Sequence, residues 1–147
     1  MKTLVVAIDF SEITSLLIKE AAKLASCYEA RVYLIHVAAP DPDFVGYEVG
    51  PIQERQFRAK ELRAEKQKLE QLATELKALG VDAVSLLIQG ETAKLLLREV
   101  DKLQSCLLIM GVHGKGLIKT AFLGSTSHEI VRLASCPVLL VPYQGVQ

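Results

Sequence analysis

The segment TLVVAIDFSEITSLLIKEAAKLASCY, Thr3 to Tyr28, changes its hydrophobic pattern at an acidic residue, Asp9. Before that residue, Thr3–Ile8 is an unbroken apolar and β-branched run, which is typical of a strand buried on both faces. After it, Ser11–Tyr28 places apolar residues at helical spacing and predicts an amphipathic helix. A buried strand followed directly by a helix is the building unit of parallel α/β folds.

The rest of the sequence repeats this alternation. Strands are predicted at Arg31–Val37, Val81–Ile88, Cys106–Met110 and Pro137–Val141, and helices at Gln53–Leu79, Glu91–Gln104 and Thr126–Ala134. Proline and glycine punctuate Ala39–Pro51, which predicts a long loop, and Gly80 follows the long helix as a C′ glycine would. Five apolar strands alternating with four helices predict one open, doubly wound parallel sheet with helices on both faces. Ligands of such sheets bind outside the carboxyl ends of the strands.

The composition sets limits on the class of protein. A chain of 147 residues that is 50% hydrophobic predicts one domain with a sizeable core. Lysine plus arginine and aspartate plus glutamate number 17 each, so no basic field favours nucleic acid. No apolar run approaches the roughly 18 to 20 residues of a membrane span, and the start MKTLVVAIDFSE carries acids unlike a secretory signal. We therefore expect a cytoplasmic protein that binds neither nucleic acid nor a membrane.

The three cysteines, Cys27, Cys106 and Cys136, lack the spacing of a metal site. We interpret them as reduced, small buried residues, because free cysteine is among the most frequently buried residue types. Cys106 and Cys136 each follow a serine at the start of a predicted strand. If those strands are neighbours, the two thiols lie close enough for a redox pair, and the sequence leaves that question open.

A second segment, GVHGKGLIKTAFLGSTSHE from Gly111 to Glu129, follows the fourth strand at its carboxyl end. Its glycines let the backbone approach a ligand closely, and Ser125, Thr126 and Ser127 bring hydroxyls and amides to a helix start whose dipole favours anions. Ordinary turn chemistry explains the same residues, because Gly111 suits a turn and Thr126-x-x-Glu129 is a capping box. The segment matches neither the P-loop nor the dinucleotide-binding glycine pattern. These residues alone leave phosphate binding and helix capping equally open.

The spacing of the glycines resembles the nucleotide-binding branch of the universal stress protein family. Gly111-x2-Gly114-x9-Gly124-Ser125 fits the G-x2-G-x9-G-[ST] motif of that branch. Other segments resemble the family in succession along the whole chain: VAIDFSE, LIHVA, QGET, MGVHGKG and CPVLLVP. The resemblance implies strand order 3-2-1-4-5, with a crevice between the first and fourth strands. It also implies a homodimer that pairs the last strands, Pro137–Val141, across a two-fold axis.

The resemblance further implies an adenine-nucleotide site, with ATP, alone or with Mg, as the expected ligand. Asp9, with Ala7 beside it, would contact the adenosine, and Val37 would meet the adenine through backbone groups. Lys115 would add a positive charge near the phosphates. The ribose and phosphates would lie along the glycine segment, whose implied site residues are Met110, Gly111, Val112, His113, Gly114, Lys115, Gly124, Ser125, Thr126 and Ser127.

Several residues also support other interpretations. Without the resemblance, Asp9 fits better as the N-cap of the first helix, and His36 is interpreted as a hydrogen-bonded core histidine. Phe10 and Val112 stand where smaller or serine residues are common in the family. They favour the alternative function, an interaction or chaperone-like module of the same fold that binds no nucleotide.

Catalysis would need a group that activates water near the γ-phosphate. The residues between Gly114 and Gly124 include no carboxylate, and Glu129 is assigned to the capping box. We therefore expect slow or no hydrolysis, and a stress-response regulator with an unidentified protein partner rather than an enzyme.

Overall fold

The computed structural model describes residues 1–41, 52–113 and 123–143, except for the side chain of His113. Two predicted site residues, Gly114 and Lys115, lie outside these ranges. The strands are β1 (Lys2–Ala7), β2 (Ala30–Ala38), β3 (Ala83–Gln89), β4 (Leu107–His113) and β5 (Val138–Tyr143). The helices are α1 (Thr14–Tyr28), α2 (Ile52–Ala78), α3 (Thr92–Lys102) and α4 (Ser125–Leu133).

The strands form one sheet in which every neighbouring pair is parallel and the order is β3-β2-β1-β4-β5. This confirms the predicted doubly wound α/β fold. Leu4 and Val6 of β1 pack on one face with residues of α1 and α2, whereas Val5 packs on the other face with residues of α3 and α4. Because β1 and β4 are adjacent at the centre, the switch point of the winding lies between their carboxyl ends.

Helix α2 ends as its sequence predicts. Gly80 has φ of 82°, a conformation that glycine adopts without steric cost. Its amide donates to the carbonyl of Lys77 at 2.9 Å, and the amide of Val81 donates to that of Leu76 at 3.0 Å, which is the Schellman arrangement. Gly80 is therefore confirmed as the C′ residue. None of the helices in the described ranges is long and apolar enough to cross a membrane.

Strand β5 continues through Pro142 to Tyr143, although the sequence predicts that it ends at Val141, before the proline. The carbonyl of Pro137 accepts from the amide of Leu108 at 3.0 Å, so odd-numbered residues of β5 direct their backbone groups toward β4. Pro142 pairs in register with Val112, but its backbone nitrogen faces away from β4. Pro142 therefore loses no hydrogen bond to β4. Proline is tolerated at such positions, where the backbone nitrogen faces the outside of an edge strand.

The cysteines are more exposed than predicted. Cys27 and Cys106 are exposed and Cys136 is half-buried, so their interpretation as small buried residues is wrong. Cys106 and Cys136 precede the first residues of β4 and β5, and Cys27 lies in the last turn of α1. All three positions are at the ends of their elements, where the helical layers cover the chain less completely.

Candidate functional site

The turn after β1 places Asp9 at the carboxyl edge of the sheet. Asp9 Oδ1 accepts a hydrogen bond from the amide of Ser11 at 3.0 Å, as in an Asx turn. Helix α1 begins only at Thr14, with Ile13 as an N-cap that makes no side-chain capping bond. The predicted start at Ser11 and the N-cap interpretation of Asp9 are therefore wrong, because Asp9 shapes a turn ahead of the helix.

His36 holds this turn against β2. The amide of Ile8 donates to the carbonyl of Ile35 at 2.8 Å, and His36 Nδ1 donates to the carbonyl of Ile8 at 2.7 Å. The other ring nitrogen lies 3.6 Å from Glu65 Oε2, and 12% of the side chain is exposed. The prediction of a hydrogen-bonded core histidine is confirmed. His36 also supplies the donor for Ile8 at the point where β1 diverges from the sheet.

Phe10 lies on the face of the sheet that α1 and α2 cover. Its ring centroid is 4.5 Å from that of His36, and Lys68 Nζ lies 5.8 Å from the ring centroid. The apolar site residues that the resemblance implies on the strands pack instead on the opposite face, with α3 and α4: Ala7, Val37 and Met110. Phe10 therefore does not occupy the space beside these three side chains.

The backbone of Val37 faces the gap that opens where β1 ends. The carbonyl of Ile35 points toward β1, since it accepts from Ile8, whereas the carbonyl of Ala38 accepts from Gly90 on the β3 side at 3.0 Å. Backbone groups alternate between the two neighbouring strands along a strand. The amide and carbonyl of Val37 therefore point to the β1 side, beyond the last residue of β1, as the implied adenine contact requires.

Gly111 and Val112 lie inside β4 rather than in a turn after it, so the turn interpretation of Gly111 is wrong. A Cβ atom on Gly111 would lie 2.7 Å from Ile13 Cγ2, closer than real side chains pack. Gly111 thus lets the first residues before α1 pack directly on β4. Val112 is half-buried and pairs with Pro142, and His113 is the last residue of β4.

The end of β5 is tied to the same side of the site. The nearby carboxylate of Glu12 raises the pKa of the Tyr143 hydroxyl, and burial adds to the rise. Glu12 precedes α1, so this contact joins the turn after β1 to the edge strand. Together with the contact between Ile13 and Gly111, it fixes the start of α1 relative to β4 and β5.

Helix α4 begins at Ser125 with Gly124 as its N-cap, and the cap makes no side-chain hydrogen bond. The predicted capping box of Thr126 and Glu129 is therefore wrong, because the helix starts before Thr126. Its first intrahelical bond runs from the amide of His128 to the carbonyl of Gly124 at 2.9 Å. The amides of the three preceding residues have no acceptor within the helix: Ser125, Thr126 and Ser127.

Packing requires a glycine at position 111, but it does not require one at position 124. The φ of −59° and ψ of 163° of Gly124 are accessible to any residue. A Cβ atom there would meet no heavy atom of the described residues within 4 Å. Neither backbone conformation nor packing against the described part of the chain accounts for glycine here. Glycine is also a preferred N-cap residue, and here it leaves the backbone open to close approach by something outside that part of the chain.

The structure thus brings most implied site residues to one edge of the sheet. Asp9 follows β1, Val37 is next to the last residue of β2, and α4 follows β4, whose last residues belong to the same edge. Sequence reasoning did not foresee the partners of two residues that position them, Ile13 and His36. Their contacts with Gly111 and Ile8 join distant parts of the chain, and no local sequence signal marks them.

Known proteins share sequence and fold with this chain. The model of the Universal stress protein family matches residues 1–142. A curated protein of Thermus aquaticus, the universal stress protein in the QAH/OAS sulfhydrylase 3' region, is 34% identical over 141 residues, which cover 95% of this chain and 98% of that protein.

Solved structures share the fold at lower identity. Hypothetical protein MJ0577 is 23% identical with a TM-score of 0.78, and the match covers 99% of this chain and 98% of that one. The universal stress protein of Archaeoglobus fulgidus, solved in complex with dAMP, is 19% identical with a TM-score of 0.65, covering 95% of this chain and 97% of that one. The family match over nearly the whole sequence, together with this fold, means that the chain belongs to the universal stress protein family.

Proposed function

We propose that this chain is a cytoplasmic ATP-binding regulator in the stress response, a homodimer that hydrolyses the nucleotide slowly or not at all. The observation that carries the proposal is Gly124, a glycine that the fold of the described residues does not require. It stands at the start of α4, next to three amides without intrahelical acceptors. A helix start of this kind favours phosphate oxygens.

The residues at the edge fit the parts of an adenine nucleotide. Asp9 would take the ribose, half-buried Ala7 offers apolar surface with Met110 buried in the same cluster, and Val37 offers an amide and a carbonyl to the adenine. The phosphates would lie between the end of β4, from Gly111 to His113, and the start of α4. The Archaeoglobus fulgidus relative, which was solved with dAMP, supports an adenine nucleotide as the ligand. Gly114 and Lys115 stay in the proposal as further phosphate contacts.

The charges of the site favour binding over hydrolysis. Asp9 Oδ1 already accepts the amide of Ser11. Glu129 is half-buried and is the fifth residue of α4, about 6 Å along the axis from the first residue. Glu129 is thus one turn away from the first-turn amides where the phosphates would bind, and Asp9 already has a partner in its own turn. We therefore propose that the bound nucleotide acts through occupancy rather than turnover.

A thermal melt with and without Mg-ATP tests the binding proposal. At about 100 times Kd, the ligand should add roughly 2.7 kcal/mol to the free energy of unfolding, which is on the order of 5 to 10 °C in Tm for a domain of this size. Magnesium with inorganic tripolyphosphate is the control, because it carries the charges without the adenosine. The proposal is wrong if millimolar Mg-ATP leaves the Tm unchanged or shifts it no more than the control does.

The dimer is proposed to form through β5, which is the edge strand next to β4. Since odd-numbered residues of β5 bond to β4, Val138 and Leu140 direct their amides and carbonyls away from the sheet. An edge strand whose amides and carbonyls point away from the sheet is a template for another strand. Two copies that pair antiparallel through these residues would satisfy both sets of groups across a two-fold axis.

Replacing Leu140 with proline is expected to convert the dimer to a monomer in sedimentation equilibrium. The change removes one outward-facing amide while the bonds between β5 and β4 remain. Leu140→Ala is the matched control, because it loses the same side chain but keeps the amide, and it should remain dimeric. A dimer that persists in Leu140→Pro would place the interface elsewhere.

One observation favours the second candidate, an interaction module without nucleotide. Helix α4 exposes 41% of Val131 and 53% of Leu133, and exposed apolar side chains suit a protein partner. The melt distinguishes the two functions, because the module would dimerise and bind its partner with no response to Mg-ATP.

A further inference from the structure

The last residues of β2 have a strand on one side only. The pairing of β2 with β1 ends where Ile35 meets Ala7, whereas its pairing with β3 continues to Ala38 and Gln89. Val37 lies in this one-sided part, and its own backbone groups point to the side without a strand. Since backbone groups along a strand bond alternately to the two neighbouring strands, the position of Val37 depends on contacts from outside the sheet.

Arg58 of α2 makes such a contact with the chain that leaves β2. Its Nη2 donates to the carbonyl of Ala39, and its Nε lies 3.9 Å from Asp41 Oδ1. Its Nη1 donates to Glu61 Oε2 at 3.2 Å, within α2 itself. Ala39 is two residues beyond Val37, so Arg58 holds the chain directly after the proposed adenine contact.

The same segment is tied to the end of β3. Gln89 Nε2 donates to Asp41 Oδ1 at 2.7 Å, and Gln89 is the last residue of β3. The amide of Gly90 donates to the carbonyl of Ala38 at 3.0 Å. We call Arg58, Asp41 and Gln89 the β2 clamp, because together they join α2, the end of β2 and the end of β3.

The bond to Ala39 is the strongest part of the β2 clamp. Asp41 is 71% and Glu61 44% exposed, and ion pairs of exposed carboxylates contribute little. The side chain of Arg58 is 18% exposed, and its Nε is buried without a hydrogen bond to the described residues. The guanidinium is therefore held through its two outer nitrogens, and a charged donor to a carbonyl is stronger than a neutral one.

The backbone of Val37 can distinguish bases by their polar edges. Adenine carries an amino donor at the position where guanine carries an acceptor oxygen. The carbonyl of Val37 would accept from the amino group of adenine, but it would face the oxygen of guanine with no hydrogen between them. A site built for a hydrogen bond strongly rejects an analogue that cannot make it. The choice of base therefore depends on where the backbone of Val37 is held.

We propose that Arg58 is a positioning residue that sets the preference of the site for adenine over guanine. This inference rests on the proposed function, because the nucleotide must bind at the carboxyl edge of the sheet. In this role Arg58 acts through Ala39 on the backbone of Val37 and does not touch the nucleotide. Its loss lets the one-sided end of β2 shift, whereas the proposed phosphate contacts at the start of α4 keep their place.

Amide hydrogen exchange of the nucleotide-free chain tests whether Arg58 holds the end of β2. Arg58→Met keeps an apolar stem but has no donors, and the amide of Gly90 should then exchange about three- to tenfold faster. The amide of Val32, which donates to the carbonyl of Asp82 at the other end of the same strand pair, should keep its rate. Arg63→Met is the matched control, an exposed arginine of the same helix, and should change neither rate. An unchanged rate for Gly90 in Arg58→Met would overturn the proposal.

Calorimetric titrations with Mg-ATP, Mg-GTP and Mg-tripolyphosphate measure the preference itself. The parent chain should bind Mg-ATP more tightly than Mg-GTP. Arg58→Met should bind Mg-ATP about tenfold more weakly and the other two ligands within about twofold of the parent. Arg58→Lys, which keeps one charged donor, should regain part of the affinity for Mg-ATP. If all three ligands weaken alike, Arg58 supports the site as a whole and its role in base preference is overturned.

The parent chain separates this inference from the function on which it rests. If the parent does not bind Mg-ATP, the nucleotide proposal fails, and the role of Arg58 in base preference is overturned with it. If the parent binds Mg-ATP and Arg58→Met binds it equally well, the nucleotide proposal stands and only the role of Arg58 is overturned.

Discussion

Replacing Gly124 with valine is expected to abolish the rise in Tm that Mg-ATP gives the parent chain, a loss of roughly 2.7 kcal/mol at about 100 times Kd. Without nucleotide, the stability should change by less than about 1 kcal/mol, because the backbone angles suit valine and only the preference for glycine at an N-cap is lost. The valine side chain would fill the space through which phosphates reach the amides of α4. Paired melts of the two chains, with and without Mg-ATP, measure both quantities.

Gly80→Ala is the control that separates stability from binding. It forces a side chain onto φ of 82° and should cost about 1 kcal/mol, yet it lies at the opposite end of the strands and should keep the full Mg-ATP shift. If Gly124→Val responds to Mg-ATP as the parent chain does, α4 does not bind the phosphates. The proposed site would then need another anion contact.

Replacing Gly111 with alanine is expected to lower the free energy of unfolding by about 1 to 3 kcal/mol, whether or not nucleotide is present. The added Cβ would lie 2.7 Å from Ile13 Cγ2 and 3.0 Å from its Cδ1. Ile13 is 1% exposed, so its side chain has no free volume into which to move. Urea denaturation of the parent and the variant measures the difference directly.

A double variant tests whether this contact is the cause. Ile13→Ala alone should cost about 2 to 5 kcal/mol through the cavity it leaves. Combined with Gly111→Ala, the total should fall short of the sum by at least about 1 kcal/mol, because the added methyl enters that cavity. Gly124→Ala, which meets no such contact, should change stability by less than about 1 kcal/mol, the N-cap preference alone. Strict additivity at Gly111 and Ile13 would contradict the packing explanation.

The two glycines show what the sequence could and could not predict. The spacing motif places Gly111 and Gly124 in one pattern, but packing explains the first and leaves the second unexplained. The difference depends on Ile13, which is far from Gly111 in sequence. A spacing motif cannot separate a glycine that a neighbouring side chain requires from one that a ligand requires.

The order of helices and strands was predictable because the signals that set it are local. The strands are continuous apolar runs, the helices have a regular apolar stripe, and Gly80 carries the chemistry of a helix end. These signals depend on residues within a few positions of each other. The predicted strand order, which the structure confirms, came from the family resemblance.

The wrong predictions concern features that depend on contacts between residues far apart in the sequence. Asp9 looked like an N-cap, but the turn it forms is completed by His36 from β2. Pro142 looked like a strand end, but whether proline fits depends on which side of β5 faces β4. The exposure of Cys106 depends on where the covering helices stop. None of these can be derived from hydrophobic periodicity alone.

Phe10 adopts φ of 59°, a backbone conformation that costs a residue of its size on the order of 1 to 2 kcal/mol. The ring contact with His36 and the position of Lys68 over the ring offset that cost. These contacts come from the chain itself, so the turn is preorganised before any ligand arrives. Because Asp9 is already held in place, a nucleotide that bound at the proposed site would lose little affinity to ordering this side of it. We expect its association rate to be limited by diffusional encounter, with no slow rearrangement of the turn.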